Sequence, residues 1–262
     1  MIPHESVATG EPLSTAAGHR RAVRNEVVWQ LLHSTLARQV AVTSRDQLDV
    51  VDAGGGTGIF AVPIAALGHR VTVVDPSPDS LAGLKRRAAE AGVTERVHAV
   101  QGDVDHLKDS VGAEVADLVL CHSVLEVVDD PTVALREIAA VLRPAAALSL
   151  LVANRNAVVL SKVMAGHVAE ALALLRSSHH PDAEREALPR RFTATDLRRA
   201  VEEVGLVVVA EHGVRVFTDL VPASVADEPG ATETLVELEV EASEHPTFRS
   251  LATQIHVLAR RP

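Results

Sequence analysis

Three consecutive glycines follow an apolar run in the first third of the chain. Residues 50–68 read VVDAGGGTGIFAVPIAALG, so a carboxylate, Asp52, stands two positions before the glycines. Glycine has no Cβ, and a strand that passes through glycines into a helix brings backbone N–H groups and a helix N-terminus close to a ligand. The pattern predicts a binding site for a small polar molecule at this turn.

Two ligand chemistries fit the turn. Gly56, Gly58 and Ala61 satisfy G-x-G-x-x-A, and Asp75 follows at about the distance expected of a ribose-binding acid in a dinucleotide site. Alternatively, Asp52 and the glycines after it form D-x-G-x-G. A carboxylate there would repel a pyrophosphate but would attract a ligand that carries a positive ammonium and sulfonium. The spacing alone leaves both interpretations open.

The elements that must position this turn follow a regular alternation. Apolar runs and amphipathic stretches alternate from Leu48 onward, which is typical of an α/β fold with a mostly parallel, doubly wound sheet covered by helices on both faces. The runs are LDVVDA, RVTVVD, RVHAVQGD, DLVLCH and ALSLLVAN, followed later by LVVVA, VRVF and residues 254–259. Ligands of such sheets bind at the carboxyl ends of the strands.

We expect residues 1–262 to form a single domain around a cofactor-binding core at 48–155. Near-helical spacing of apolar residues predicts a leading cap helix within 20–45 and a helical insertion over 156–191. The C-terminal strands and the acceptor side should occupy 192–262.

Other sequence patterns predict the elements outside the cofactor-binding core. The insertion should contain one helix, marked by Leu160, Met164, Val168, Leu172 and Leu175. A polar connection at 177–191 should follow it, then a helix capped by Thr193 and Asp196. We expect the loop at 222–232 to be mobile.

Composition narrows the function classes. A formal charge of −10 argues against generic polyanion binding, and five aromatic residues with no tyrosine leave little for base stacking. A single cysteine, Cys121, excludes a disulfide framework and a multi-thiolate metal site. We predict no metal site. Without an apolar leader or a long apolar stretch, the chain is expected to be cytoplasmic, with no membrane partner.

An ordered set of motifs resembles the class I S-adenosylmethionine-dependent methyltransferases. The motifs are VDAGGGTG, VVDPS, QGD and LVLCHSVLEVVDDP, which together cover about residues 48–155. The resemblance implies a Rossmann-like sheet of seven strands with the last one antiparallel, and S-adenosyl-L-methionine as the cofactor. The implied cofactor residues are Asp52, Gly54, Gly55 and Gly56 at the methionine part, Asp75 and Pro76 at the ribose, Gly102 and Asp103 at the adenine, and His122 at the end of the fourth strand.

Each of these residues also has a purely structural interpretation. Asp75 could end its strand and cap the helix that starts near Pro76, and Asp103 could be an ordinary turn residue. His122 could be a strand-end residue without a chemical role. A carboxylate can accept hydrogen bonds from two neighbouring hydroxyls, which favours the ribose role of Asp75.

A narrower resemblance extends over nearly the whole chain. Four segments are similar to the bacterial tRNA carboxymethoxyuridine methyltransferases: RNEVVWQLL, AVVLSKVMAGHV, GVRVF and residues 235–262. In that family an arginine of the leading helix contacts the cofactor, which implies the same role for Arg24. The lysine run and tyrosines of the family are replaced here by SSHHPDAEREALPRRF, which weakens the case for a tRNA acceptor.

These patterns predict methyl transfer to a small-molecule acceptor that bears a carboxylate or a hydroxyl, with carboxyl methylation of a tRNA wobble uridine as the alternative. A hydroxyl acceptor would need a general base, for which His122 and His167 are candidates. Strand alternation in GVRVF would direct Arg215 toward an acidic acceptor. An NAD-dependent oxidoreductase and a non-catalytic adenosylmethionine-binding module are the rival classes.

Overall fold

A computed structural model describes residues 16–176, 190–222 and 230–262. Seven strands form one sheet: β1 Asp49–Ala53, β2 Arg70–Asp75, β3 Val97–Gln101, β4 Ala116–His122, β5 Leu142–Ala153, β6 Val207–Val214 and β7 Gln254–Arg260. The described α-helices are α1 Ala16–Thr43, α2 Ala61–Ala66, α3 Pro78–Glu90, α4 Leu107–Val111, α5 Pro131–Val141, α6 Arg155–Met164, α7 Val168–Arg176, α8 Ala194–Glu203, α9 Ala231–Glu244 and α10 Pro246–Arg249. Short 3₁₀ turns at Thr94–Arg96 and Val104–His106 precede β3 and α4.

The sheet has the order β3-β2-β1-β4-β5-β7-β6. The first five strands in this order pair in parallel, and β7 pairs antiparallel with both β5 and β6. The predicted Rossmann-like, mostly parallel sheet with an antiparallel last strand is therefore confirmed. Because β1 lies between β2 and β4, the carboxyl ends of these three strands converge at one edge of the sheet.

Helices bury apolar side chains on both faces of the sheet, as the alternation predicts. The buried face of α1 includes Val28, Leu32 and Leu36, which join the cluster that contains α2 and α3. On the other face, α5 and α8 contribute residues such as Leu135, Ile138 and Leu197. The central strands are apolar on both sides because both sides are covered. The leading helix lies where the spacing predicted it.

Glu239 of α9 organises the chain after β6. Its carboxylate is fully buried and accepts hydrogen bonds from the backbone N–H groups of Val216, Phe217 and Thr218 at 2.7, 2.9 and 2.6 Å, and from the Thr218 hydroxyl. Three successive N–H groups that converge on one carboxylate are incompatible with an extended strand. β6 therefore ends at Val214, and the predicted strand over VRVF is wrong beyond that residue.

The region after β5 also differs from the prediction of one helix. The chain forms two helices, α6 and α7, and Gly166 lies between them with a positive φ of 81°. Several of the apolar residues that suggested one helix are exposed, including Met164, Val168 and Leu175. Their spacing reflects two short amphipathic segments.

The helix predicted after this region is confirmed. The Thr193 side chain caps α8 by accepting from the Asp196 N–H at 3.2 Å. Residues 177–189, most of the predicted polar connection, and residues 223–229 of the predicted mobile loop lie outside the described residues.

Candidate cofactor-binding and transfer site

The glycine turn after β1 packs too closely for side chains. A Cβ on Gly54, whose φ is +72°, would lie 2.3 Å from Val124 Cγ2, and one on Gly55 would lie 2.4 Å from the Asp52 carboxylate. The Gly54 N–H also donates to the Val74 carbonyl at 2.7 Å, which ties the turn to β2. The bare backbone is thus required by the fold, and it leaves the turn open to a ligand at the sheet edge.

Asp52 is a buried carboxylate beside this turn. It is 4% exposed, and its neighbours across the sheet are Val73 and Leu120. Burial, with a smaller contribution from Asp75, raises the pKa of the Asp52 carboxyl to about 7. Among the described residues, no side chain or backbone group donates a hydrogen bond to Asp52. A cation bound here would stabilise its ionised form, which fits a ligand with an ammonium group.

This raised pKa predicts a pH-dependent cofactor affinity. The folded chain without cofactor holds the Asp52 proton up to about pH 7, whereas the unfolded chain releases it near 3.9, so the contribution of Asp52 to stability falls as the pH rises between these values. A cationic ligand prefers the ionised carboxylate, so adenosylmethionine affinity should rise roughly tenfold from pH 6 to pH 8. Calorimetry at pH 6, 7 and 8 measures this rise.

Asp52→Asn is the matched variant, because it keeps the shape and removes the titration. It should bind more weakly with a flat pH dependence. An equally steep pH dependence in Asp52→Asn would assign the titration to another group.

Asp75 ends β2 and faces the same turn. Its two carboxylate oxygens accept from the Gly56 and Ser77 backbone N–H groups, each at 2.9 Å, and the residue is 8% exposed. The cap of α3 is Ser77, whose hydroxyl accepts from the Ser80 N–H at 3.2 Å. Asp75 is therefore not the helix cap. Each of its oxygens uses one acceptor direction on the backbone and keeps one for a ligand hydroxyl.

The remaining adenine and ribose candidates differ in their contacts. Gly102 donates its N–H to the Asp75 carbonyl at 3.3 Å, so it lies next to the ribose candidate. Asp103 is exposed and caps the following 3₁₀ turn by accepting from the Asp105 N–H at 3.1 Å. Pro76 is exposed, and its carbonyl accepts from the Gln101 side chain. The hydrogen bond of Gly102 therefore places it next to Asp75, whereas the side chain of Asp103 caps a turn.

His122 lies at the carboxyl end of β4 and belongs to a polar row across the sheet. Its Nε2 atom is 2.9 Å from Ser149 Oγ, which is also 2.9 Å from His256 Nε2, and His256 Nδ1 is 3.1 Å from His212 Nδ1. The His122 ring also meets Phe60, which precedes α2, edge-on with ring centroids 5.3 Å apart. Of this row, only His122 was predicted from the sequence, although single polar residues within the apolar runs of β5 and β7 are a visible signal.

Three further candidates lie on other elements than the glycine turn: His167, Arg215 and Arg24. His167 lies in the exposed connection between α6 and α7, where its Nδ1 is 3.3 Å from Glu170. Arg215 follows β6 with a positive φ of 60°, and its guanidinium pairs with Asp219 at 2.6 Å. The strand alternation that was to direct Arg215 is therefore absent. Arg24 is part of α1, but its side chain lies outside the described residues.

Comparison with known proteins identifies the family. A methyltransferase domain profile matches residues 21–211. The chain belongs to the S-adenosylmethionine-dependent methyltransferases. It is 32% identical over 248 residues to the tRNA 5-carboxymethoxyuridine methyltransferase of Escherichia coli O157:H7, a match that covers 92% of this chain and 88% of that protein. The ubiquinone biosynthesis O-methyltransferase of Methylobacterium sp. (strain 4-46) is 33% identical over 172 residues, a match that covers 64% of this chain and 63% of that protein.

Solved structures share the fold of this methyltransferase. Magnesium protoporphyrin IX methyltransferase from Synechocystis PCC 6803, solved with S-adenosylhomocysteine, gives a TM-score of 0.57 at 16% identity and covers 94% of this chain and 84% of that one. A methyltransferase from Methanosarcina mazei gives a TM-score of 0.58 at 14% identity and covers 88% of this chain and 96% of that one. At these identities the likeness supports the fold.

The residues at the sheet edge fit S-adenosyl-L-methionine as the cofactor. The glycine turn offers close backbone approach, Asp52 offers a partner for a cation, and Asp75 offers free acceptor directions for hydroxyls. Within the three described ranges, no cluster of His, Cys, Asp or Glu could hold a metal ion. None of the helices in those ranges is long and apolar enough to cross a bilayer.

Proposed function

We propose that this methyltransferase esterifies the carboxylate of a carboxymethoxyuridine at the wobble position of tRNA. The observation that carries this proposal is the extent of the match to the tRNA methyltransferases, 92% of this chain and 88% of the relative. The match to the ubiquinone enzyme covers 64% of the chain. A match of 92% extends beyond the predicted cofactor-binding core at 48–155 into the regions where the acceptor side is proposed.

The chemistry asks little of the protein beyond positioning. When bound, S-adenosyl-L-methionine would supply a methyl group on a positive sulfonium, with S-adenosylhomocysteine as the leaving group, and an ionised carboxylate acceptor would need no general base. The site has to place the carboxylate about 3 Å from the methyl group and exclude water. Arg215 stays a proposed anchor for the carboxylate of the acceptor, because it directly follows the carboxyl end of β6. Its guanidinium would have to exchange Asp219 for the acceptor.

A second candidate is a small-molecule acceptor that bears a carboxylate or a hydroxyl, because the charge of the chain argues against RNA. RNA binding draws its affinity from lysine and arginine at phosphates, and the formal charge here is −10 with three lysines and no tyrosine. The small-molecule prediction made from composition therefore stays a prediction beside the tRNA proposal.

A transfer assay separates the two acceptors. With labelled adenosylmethionine, the chain should label tRNA that carries carboxymethoxyuridine, and mild alkali should release the label because the product is an ester. Matched tRNA without the carboxymethoxy group should stay unlabelled. Transfer to tRNA should weaken as salt is raised, since phosphate contacts depend on counterion release. Alkali-stable label, or transfer to small carboxylates and phenols with none to tRNA, contradicts the proposal.

A further inference from the structure

The polar row joins side chains of four strands, β4, β5, β7 and β6. Leu151 of β5 pairs with His122 of β4 and with His256 of β7, and His256 pairs with His212 of β6. Residues paired across strands project to the same face of a sheet, so the three histidines line one face near its carboxyl edge. Ser149 lies two residues before Leu151 and projects to that face as well. We call His122, Ser149, His256 and His212 the histidine row.

Hydrogen-bond chemistry allows two proton arrangements in the row. A hydroxyl has one proton, so Ser149 donates to one of its two imidazole nitrogens and accepts from the other. Between the Nδ1 atoms of His256 and His212, one carries a proton and the other accepts it. If all three rings are neutral, these conditions couple the proton positions of the four residues. Either every hydrogen bond in the row is donated in the direction of His212, or every one is donated in the direction of His122.

Glu244 lies where it would favour one of the two arrangements. Its carboxylate lies 3.7 Å from His212 Nε2, the outer end of the row. A carboxylate accepts and does not donate, so it favours a proton on that nitrogen. His212 Nδ1 then accepts from His256, His256 Nε2 accepts from Ser149, and Ser149 accepts from His122 Nε2.

We propose that Ser149, His256 and His212 are positioning residues that hold His122 in one tautomer, with its proton on Nε2 and with Nδ1 as a hydrogen-bond acceptor at the transfer site. This rests on the proposed placement of His122 at that site and is independent of the identity of the methyl acceptor. It assigns a role to three residues outside the cofactor motifs.

Burial supports neutral rings in the inner part of the row. Ser149 and His256 are 0% and 1% exposed, and His212 is 8% exposed. Burial lowers the pKa of His256 well below its usual range, and the neighbouring His212 and His122 lower it further. Burial also lowers the pKa of His212, against the opposing effect of Glu244. A second proton within the row would have to be held in an environment that disfavours charge.

The charged groups around the row lie at its two ends. Glu211, Glu244 and Arg249 act on His212. At the other end, Asp52 and Glu126 raise the pKa of Cys121, the residue before His122. Carboxylates therefore lie near both ends of the row. The proposed proton direction rests on the contact of Glu244 with His212 Nε2 at 3.7 Å.

The proposed tautomer limits what His122 can do. An unprotonated Nδ1 can accept a hydrogen bond or a proton, but it cannot donate to a carboxylate. If the methyl acceptor is a carboxylate, His122 Nδ1 would then face the cationic cofactor, and other groups would donate hydrogen bonds to the carboxylate. With an acceptor that must lose a proton, the same atom would be the base.

Histidine nitrogen NMR of the full-length chain tests the row without any methyl acceptor. Long-range proton–nitrogen spectra distinguish the two tautomers, and His→Gln variants assign the signals. We expect Nε2–H for His122 and His212 and Nδ1–H for His256. His69 is an internal reference, because its Nδ1 accepts from the Leu48 N–H and its proton must be on Nε2. Added S-adenosylhomocysteine should shift the His122 signals and leave those of His69 in place.

Ser149→Ala breaks the row at its centre. His122 should then populate both tautomers, and turnover on carboxymethoxyuridine tRNA should fall about five- to tenfold, as for one lost hydrogen bond, with the KM for tRNA unchanged. Ser149→Thr keeps the hydroxyl and should restore most of the turnover. Thr35→Val, which removes a buried hydroxyl from α1 outside the row, is the control and should behave like the parent.

Three results would overturn the proposal: Nδ1–H on His122 in the parent, no response of His122 to S-adenosylhomocysteine, or Ser149→Ala with parental tautomers. An absence of transfer to tRNA would defeat the proposed function instead, and the NMR result would stand. A turnover number that rises with pH through the titration of His122 would favour an acceptor that loses a proton, while keeping the row.

Discussion

Asp75→Ala is expected to weaken adenosylmethionine binding by about 1.5–3 kcal/mol, which is roughly 10- to 150-fold. The carboxylate already accepts from the Gly56 and Ser77 N–H groups, so its orientation is fixed before the ligand arrives. Its remaining acceptor directions are proposed to take both ribose hydroxyls, and hydrogen bonds to a charged acceptor are stronger than neutral ones. Calorimetry with adenosylmethionine and S-adenosylhomocysteine should show the same loss, because both ligands carry the ribose.

Ser77→Ala is the control for this experiment. It removes the cap of α3 beside Asp75 and should lower the free energy of unfolding by about 1 kcal/mol with little change in cofactor affinity. If Ser77→Ala loses as much affinity as Asp75→Ala, the loss comes from the shape of the loop. Parental affinity in Asp75→Ala would remove the ribose role.

The candidate cofactor residues could be brought together from sequence because their signals are local. Asp52 and the glycines that follow it occupy one turn, and Asp75 ends the next strand along the chain. Parallel strands place their carboxyl ends at one edge, so an order of motifs becomes a cluster in space. The same logic found Gly102, whose N–H bonds to the Asp75 carbonyl.

The histidine row was not accessible in this way. Ser149 and His256 are separated by 107 positions and meet only because β7 inserts between β5 and β6. An apolar run such as ALSLLVAN predicts a strand but does not specify its neighbours. A polar residue inside such a run is a signal that a partner exists, and only the pairing of the strands identifies that partner.

Arg215 illustrates a local pattern that a distant residue overrides. GVRVF alternates like a strand, yet Glu239, more than twenty positions later, gathers the three N–H groups that follow Arg215. A buried carboxylate stabilises a backbone turn that no local propensity requires. The side-chain direction inferred from alternation failed for this reason, because Arg215 follows β6 instead of lying within a strand.

Glu239→Ala is expected to cost on the order of 3–5 kcal/mol of the free energy of unfolding. The substitution leaves three backbone N–H groups and the Thr218 hydroxyl without their acceptor, and each buried unpaired group costs about 1–3 kcal/mol before relaxation. Entry of water into the loop should recover part of this sum. Urea unfolding followed by circular dichroism measures the loss.

Two variants of the same helix make the result interpretable. Glu237→Ala removes an exposed carboxylate of α9 and should change the free energy of unfolding by less than about 0.5 kcal/mol. Glu239→Gln keeps the size but turns an amide NH₂ toward N–H donors, so it should fall between the parent and Glu239→Ala. A Glu239→Ala protein as stable as Glu237→Ala would show that the loop after β6 is held by other contacts, and the position of Arg215 would then need another cause.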